Sequence, residues 1–163
     1  LKMYLNNHVI NDEEQTEFWL AFRVGRRAGI TNREIQMECD NIKVSASHDG
    51  YARLAGKPMH MREILMAESS IHIHDKIIKG RGQRAVSRIM LHPDICVEKN
   101  NQQYFLLGKK VKIAIECDFP IVVEETICFL NFGHKYDTKQ LVIDFGVAPC
   151  SCNMKLTVYP VPD

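Results

Sequence analysis

The chain has 163 residues, 45% of them hydrophobic and 25% charged, and its 21 Lys and Arg against 20 Asp and Glu leave a net charge of +1. A balance so near neutral gives no basic field to draw nucleic acid, and no apolar run approaches the roughly 18 residues of a membrane-spanning helix, so neither is an expected partner. The length suits one domain, 1–163, with a sizeable core, and a chain that opens on Leu1 with its first Met at position 3 is expected to be a piece of something longer.

The first element in chain order is ambiguous. "NDEEQTEFWLAFRVGRRAG" starts with a possible helix cap at Asn11 or Asp12, and Phe18 and Phe22 are four apart, as on a helix. Phe18, Leu20, Phe22 and Val24 also alternate with Trp19, Ala21 and Arg23, as on a strand. Pattern alone does not separate the two. The end of this segment carries Arg23, Arg26 and Arg27, whose guanidinium forks suit carboxylate or sulfate groups. The plainer alternative is a solvated basic edge that discourages strand pairing. Gly25 breaks the run and fits a bulge.

"NIKVSAS" alternates cleanly, with Ile42, Val44 and Ala46 on one face. "HDG" then gives a turn. His48, Asp49 and Tyr51 stand close enough there to invite a catalytic reading. Asp-Gly, however, favours a turn in which Asp49 bonds local backbone and Tyr51 anchors the packing.

"PMHMREILMAESSIHIHDKII" reads as a hairpin. In its second arm Ile71, Ile73, Asp75 and Ile77 share one face, while His72, His74 and Lys76 share the other. Two histidines side by side raise the question of a metal, but Lys76 beside them opposes a cation, and a third ligand such as His60 would have to come from the first arm. A solvated His-x-His-x-Lys face is the expected arrangement. Asp75, in line with isoleucines, then needs partners if buried, and Arg62 across the hairpin is the candidate.

"KGRG" reads as a further hairpin turn; it lacks the order of a phosphate-binding loop, and no G-x-S-x-G elbow occurs. Three more alternating runs follow: Val111, Ile113 and Ile115; Leu141, Ile143 and Phe145; Met154, Leu156 and Val158. Six cysteines include no C-x-x-C pair; Cys150 and Cys152 share a strand face, and small buried hydrophobes is the simple reading of the set. Short alternating runs between turn signals predict an all-β fold, an antiparallel β-sandwich of many short strands.

Four phrases in order, "EEQTEFWLAFRVGRRAGI", "VSASHDGYARLAGKPMHMREI", "SIHIHDKIIKGRGQRAVSRIMLHPDICVE" and "FLNFGHKYDTKQLVIDFGVAPCSCNMKLTVYPV", resemble the C-terminal β-sandwich region of heparinase II/III-like polysaccharide lyases. The resemblance runs from about Asn6 to Val161, and it favours an extended strand from about Glu17 through residue 24. It implies an upstream helical toroid domain as partner and an acidic, uronate-containing polysaccharide as substrate. It also implies β-elimination, in which a base removes the C5 proton and an acid assists the leaving oxygen. Most of those catalytic groups belong to the helical domain, so no catalytic residue is assigned here, and Arg23, Arg26 and Arg27 are the candidate substrate-binding residues.

Relatives often carry His-Asn-Thr before the "Q-x-E-x-W" phrase, and in some that His helps hold zinc. Counting back from Gln15, Leu5 stands where the His would be and Asn6 matches the Asn; His8 is three positions out of register. No metal ligand is therefore carried over and no cofactor is expected. A different class of function stays open: a non-catalytic carbohydrate-binding or scaffolding module in exopolysaccharide metabolism. A glycan-active lyase is expected in the cell envelope, periplasm or secreted space, although the unpatterned cysteines also fit a reducing cytoplasm.

Overall fold

The structure is a computed structural model and describes residues 4–19, 23–38, 40–101 and 103–160, the side chains of residues 4–8 and 18 excepted. The described residues form strands and turns without a helix. One antiparallel sheet has the order β13-β14-β9-β1-β2, formed by Ile121–Asn131, His134–Val147, Arg84–Met90, Tyr4–Ile10 and Glu13–Glu14. The larger sheet has the order β10-β11-β12-β15-β8-β7-β6-β5. Its strands are Cys96–Asn100, Gln103–Leu107, Val111–Cys117, Cys150–Pro160, Ser70–Ile78, Met59–Met66, Asn41–His48 and Ile30–Glu38. The expected all-β antiparallel sandwich is the observed architecture.

The alternating runs build its core. Leu141, Ile143 and Phe145 of β14, with Ile10 and Ile89, meet Ile73, Ile77, Ile113, Ile115, Met154 and Leu156 of the larger sheet. Side chains as deeply buried as Ile10, Ile77, Leu141 and Ile143 contribute about 1.5–3 kcal/mol each.

The two sheets differ in width, and β5 and β6 project past the smaller one. Their side chains that share the inner face, Ile35, Met37 and Ile42, are 58%, 77% and 37% exposed. This corrects a simple reading of "NIKVSAS". The alternation is right, yet Ile42 is open while Ser45 and Ser47 of the other face are buried, because no second sheet lies over that end and long neighbours cover the small serines.

"KGRG" is also corrected. The strands on either side of it, β8 and β9, belong to different sheets, so residues 79–82 carry the chain across the sandwich and do not close a hairpin. Lys79, Gly80 and Gly82 all have positive φ in this crossover. The extended strand expected over 17–24 is instead two short strands, β3 (Phe18–Trp19) and β4 (Arg23–Val24), paired antiparallel. Phe18 pairs with Val24 and Trp19 with Arg23, while residues 20–22 of the expected strand lie outside the described residues.

Candidate functional site

The β3–β4 ribbon is pinned at its root. Gly25 N–H donates to Glu17 O at 2.8 Å and Glu17 N–H donates to Arg26 O at 2.9 Å. Beyond Arg26 the chain lies against the turn after β6: Gly29 N–H donates to Asp49 Oδ1 at 2.7 Å, and Asp49 N–H donates back to Gly29 O at 3.0 Å. Asp49 thus bonds this distant segment as well as closing the expected local turn, in which Ala52 N–H donates to Asp49 O at 2.8 Å. The Gly29 N–H and the Arg26 guanidinium hold its carboxyl below the usual range.

Trp19 lies on Gly25. A Cβ at residue 25 would sit 2.6 Å from Trp19 Cε2 and 2.7 Å from Nε1, so only glycine leaves room for the indole. Trp19 Nε1–H donates to Glu17 Oε1 at 2.9 Å, which fixes the ring's edge while 58% of the residue stays exposed. The indole is thus held in one pose with an open face.

The three arginines separate into two kinds. Arg26 Nη2 is 2.5 Å from Asp49 Oδ2, so its charge is engaged in tying ribbon to turn. Arg23, directly opposite Trp19 in the ladder, and Arg27 are exposed and have no ion-pair partner among the described residues. Arg23 therefore leaves an open guanidinium across the ribbon from the exposed indole, and Arg27 follows four residues on. Sequence reading identified the arginines but passed over Trp19; the signal was a lone Trp followed six residues later by a glycine.

Behind this ribbon runs a buried polar chain. Arg62 and Asp75 are direct partners across β7 and β8, as the hairpin reading predicted, and the guanidinium meets both oxygens: Nε to Oδ1 at 2.7 Å and Nη2 to Oδ2 at 2.8 Å. His60 Nε2 lies 2.8 Å from Asp75 Oδ1, and His60 Nδ1 lies 3.1 Å from His48 Nε2. Gly50 N–H donates to His48 Nδ1 at 3.2 Å. That last bond assigns every proton. His48 accepts at Nδ1 and so carries its hydrogen on Nε2, which donates to His60 Nδ1. His60 then carries its hydrogen on Nε2, which donates to the carboxylate. Both rings are neutral. Burial lowers the His48 pKa to about 4.

The tempting His48, Asp49 and Tyr51 grouping is therefore structural. Each His48 nitrogen has a partner, Asp49 holds Arg26 and Gly29, and Tyr51 is fully buried in the core. Gly50 completes the joint, since a Cβ there would meet Gln15 O at 2.6 Å. A small cavity of about 230 Å³, lined by Gln15, Ile30, Ser47, His48, His60 and Arg62, opens beside this chain.

His72 and His74 take the outer face, His72 exposed and His74 half-buried, with Asp75 on the inner face. His60 also points inward, so it joins Asp75 and not the other histidines. Lys155 stands opposite His72 in the ladder. The zinc that the resemblance allows does not fit the residues present: Leu5 offers no donor atom, and among the described residues no three His, Cys, Asp or Glu side chains gather as ligands. The His8 side chain lies outside what the structure describes.

Comparison with known proteins agrees with this architecture. Heparinase III, the BT4657 gene product, superposes with a TM-score of 0.68 at 10% identity, over 96% of this chain and 24% of that one. Heparan sulfate lyase HepC from Pedobacter heparinus superposes with a TM-score of 0.66 at 10% identity, over 84% of this chain and 22% of that one. The chain therefore spans about a quarter of the length of these lyases. No protein of curated function matches the sequence. The profile described as "Heparinase II/III-like, C-terminal" matches residues 6–156, and the chain belongs to that family.

Proposed function

We propose that this chain is the β-sandwich part of a polysaccharide lyase that cleaves uronate-containing acidic glycan by β-elimination, and that its β3–β4 ribbon forms one wall of the glycan cleft. The observation that carries this reading is the exposed Trp19 indole, clamped between Gly25 and Glu17, with the open Arg23 opposite it in the ribbon and the exposed Arg27 four residues further on. The indole stacks on a sugar ring and the arginines meet carboxylate or sulfate, which positions the substrate without doing chemistry.

The proton-transfer groups belong elsewhere in the protein on this reading. His48 and His60 are occupied at the nitrogens that bond Gly50, each other and Asp75, and the low His48 pKa keeps that ring neutral. The uncovered inner face of β5 and β6 supports an upstream domain of the same protein as the missing partner, because 58% and 77% exposure at Ile35 and Met37 is costly in water. The same reading places the protein in the envelope or outside the cell, where such glycans are met.

The test is an assay of the full-length protein on heparan-type, chondroitin-type and uronate homopolymer substrates, following the ultraviolet absorbance of the unsaturated uronate that β-elimination creates. The proposal expects product from at least one acidic polymer, with a raised KM in a Trp19→Ala variant. Glycan binding without any unsaturated product favours the binding-module alternative.

A further inference from the structure

Cys117 ends β12 and Cys152 lies on the neighbouring β15, with Sγ atoms 3.6 Å apart. The ladder pairs Cys117 with Met154, so the two cysteines are diagonal neighbours on the inner face of the sheet. A disulfide needs a sulfur separation of about 2.05 Å. Here the sulfurs are already in contact, and Cys117 is the last residue of β12. The join is otherwise held: Asp118 Oδ2 accepts from Asn153 N–H at 2.9 Å and from Asn153 Nδ2 at 2.8 Å.

The surroundings set the two thiols apart. Cys152 is buried and stands directly opposite Asp75 in the β15–β8 ladder, and the neighbouring Cys117 first, then burial and the carboxylate, keep its proton on. Cys117 is half-buried and borders two surface cavities, one of about 490 Å³ beside His72, His74 and Asn153, the other of about 700 Å³ beside Asn101, Tyr104 and Phe119. The Cys152 thiol and the Phe119 and Asp118 N–H groups stabilise its thiolate and lower its pKa to about 7. It is both reachable and partly ionised at neutral pH.

We propose that Cys117 and Cys152 form a thiol–disulfide exchange site that closes into an intramolecular disulfide on meeting a small-molecule disulfide. The Cys117 thiolate attacks one sulfur of the reagent, the reagent's S–S bond breaks, and one thiolate leaves and takes up a proton. Cys152 then gives up its proton, attacks Cys117 Sγ and expels the second thiolate, which is protonated in turn. Two protein thiols are oxidised and one external disulfide is reduced to two thiols. Once Cys117 is capped, its negative charge no longer holds the proton on Cys152, so the second step becomes easier than the first geometry alone implies. The closed bond staples β12 to β15 on the wall that separates the two cavities.

Incubation of the purified protein with glutathione disulfide at neutral pH, followed by non-reducing peptide mass spectrometry, tests this. The expected product joins the Cys117 and Cys152 peptides, lighter by two hydrogen atoms and reversed by dithiothreitol. Cys152→Ser is expected to trap glutathione on Cys117, and Cys117→Ser to leave Cys152 unreacted. In the unmodified protein, iodoacetamide at pH 7 is expected to label Cys117 more than tenfold faster than Cys150, whose thiol burial pushes up to about 11; this readout needs no variant to fold. Glutathione adducts on Cys117 that never resolve, a disulfide mapped to other cysteines, or equal labelling of Cys117 and Cys150 would overturn the proposal.

Discussion

Asp75 receives Arg62 on both of its oxygens while sharing Oδ1 with His60, so one inward carboxylate is the meeting point of two strands. The Asp75 side chain is 7% exposed and that of Arg62 19%. Removing the arginine leaves a buried charge with an imidazole donor in place of a cation. Arg62→Ala is expected to lower unfolding stability by about 3 kcal/mol, and the double replacement Arg62→Met with Asp75→Leu to cost markedly less. Urea denaturation of the two variants checks this. A loss under about 1 kcal/mol for the single variant contradicts the role given to the pair.

The His48 pKa of about 4 sets a pH dependence. The folded value lies below the ordinary value of 6.5, so the unfolded chain takes up this proton first as pH falls. The stabilisation is complete above pH 6.5 and is lost progressively towards pH 4. Discounted for the solvent that reaches the ring, the loss is about 1–2 kcal/mol. Protonation also places a hydrogen on Nδ1, against the Gly50 N–H that bonds there. Stability measured at intervals across this range is expected to fall, and His48→Gln to flatten that segment of the profile. An unchanged profile in the variant argues against the proton assignment.

Trp19 depends on the absence of a side chain at residue 25. Gly25→Ala is expected to push the indole off its seat and shift the emission of the protein's single Trp. Global stability should change by less than about 1 kcal/mol, because the ribbon lies outside the core cluster. Fluorescence with a parallel thermal melt separates the two effects. An unaltered emission spectrum counts against the close packing.

Ile35 and Met37 sit on the uncovered end of the larger sheet. Replacing both with Ser in the chain by itself is expected to change stability by no more than about 0.5 kcal/mol per site, because little burial is lost. Self-association seen by light scattering should fall. On the proposed reading, the same pair in the full-length protein is expected to loosen the sandwich from an upstream domain and lower the melting temperature. Equal effects in both settings contradict a covered face.

The sequence was most legible where period-two alternation met a two-sided core. Leu141, Ile143 and Phe145 could be placed inward because both sheets overlap there. The same pattern misplaced Ile42, since alternation reports a face and not whether anything covers it. Arg62 with Asp75 was readable because an inward carboxylate needs a nearby cation. The His48–His60 contact was not, as it depends on register between β6 and β7, where His48 falls opposite His60. Trp19 was missed because its seat on Gly25 and its pairing with Arg23 come from the β3–β4 ladder, which alternation does not report.

The central claim is that the Trp19 ribbon binds acidic glycan. The most direct measurement follows Trp19 fluorescence during titration with a sulfated, uronate-containing oligosaccharide and, separately, with a neutral one of equal length. The account predicts a saturable change with the acidic ligand only, weakened by salt and reduced at least about tenfold in affinity in an Arg23→Ala, Arg27→Ala double variant, in line with the loss of two charge-assisted contacts. No change with either ligand, or an equal response to both, would contradict it.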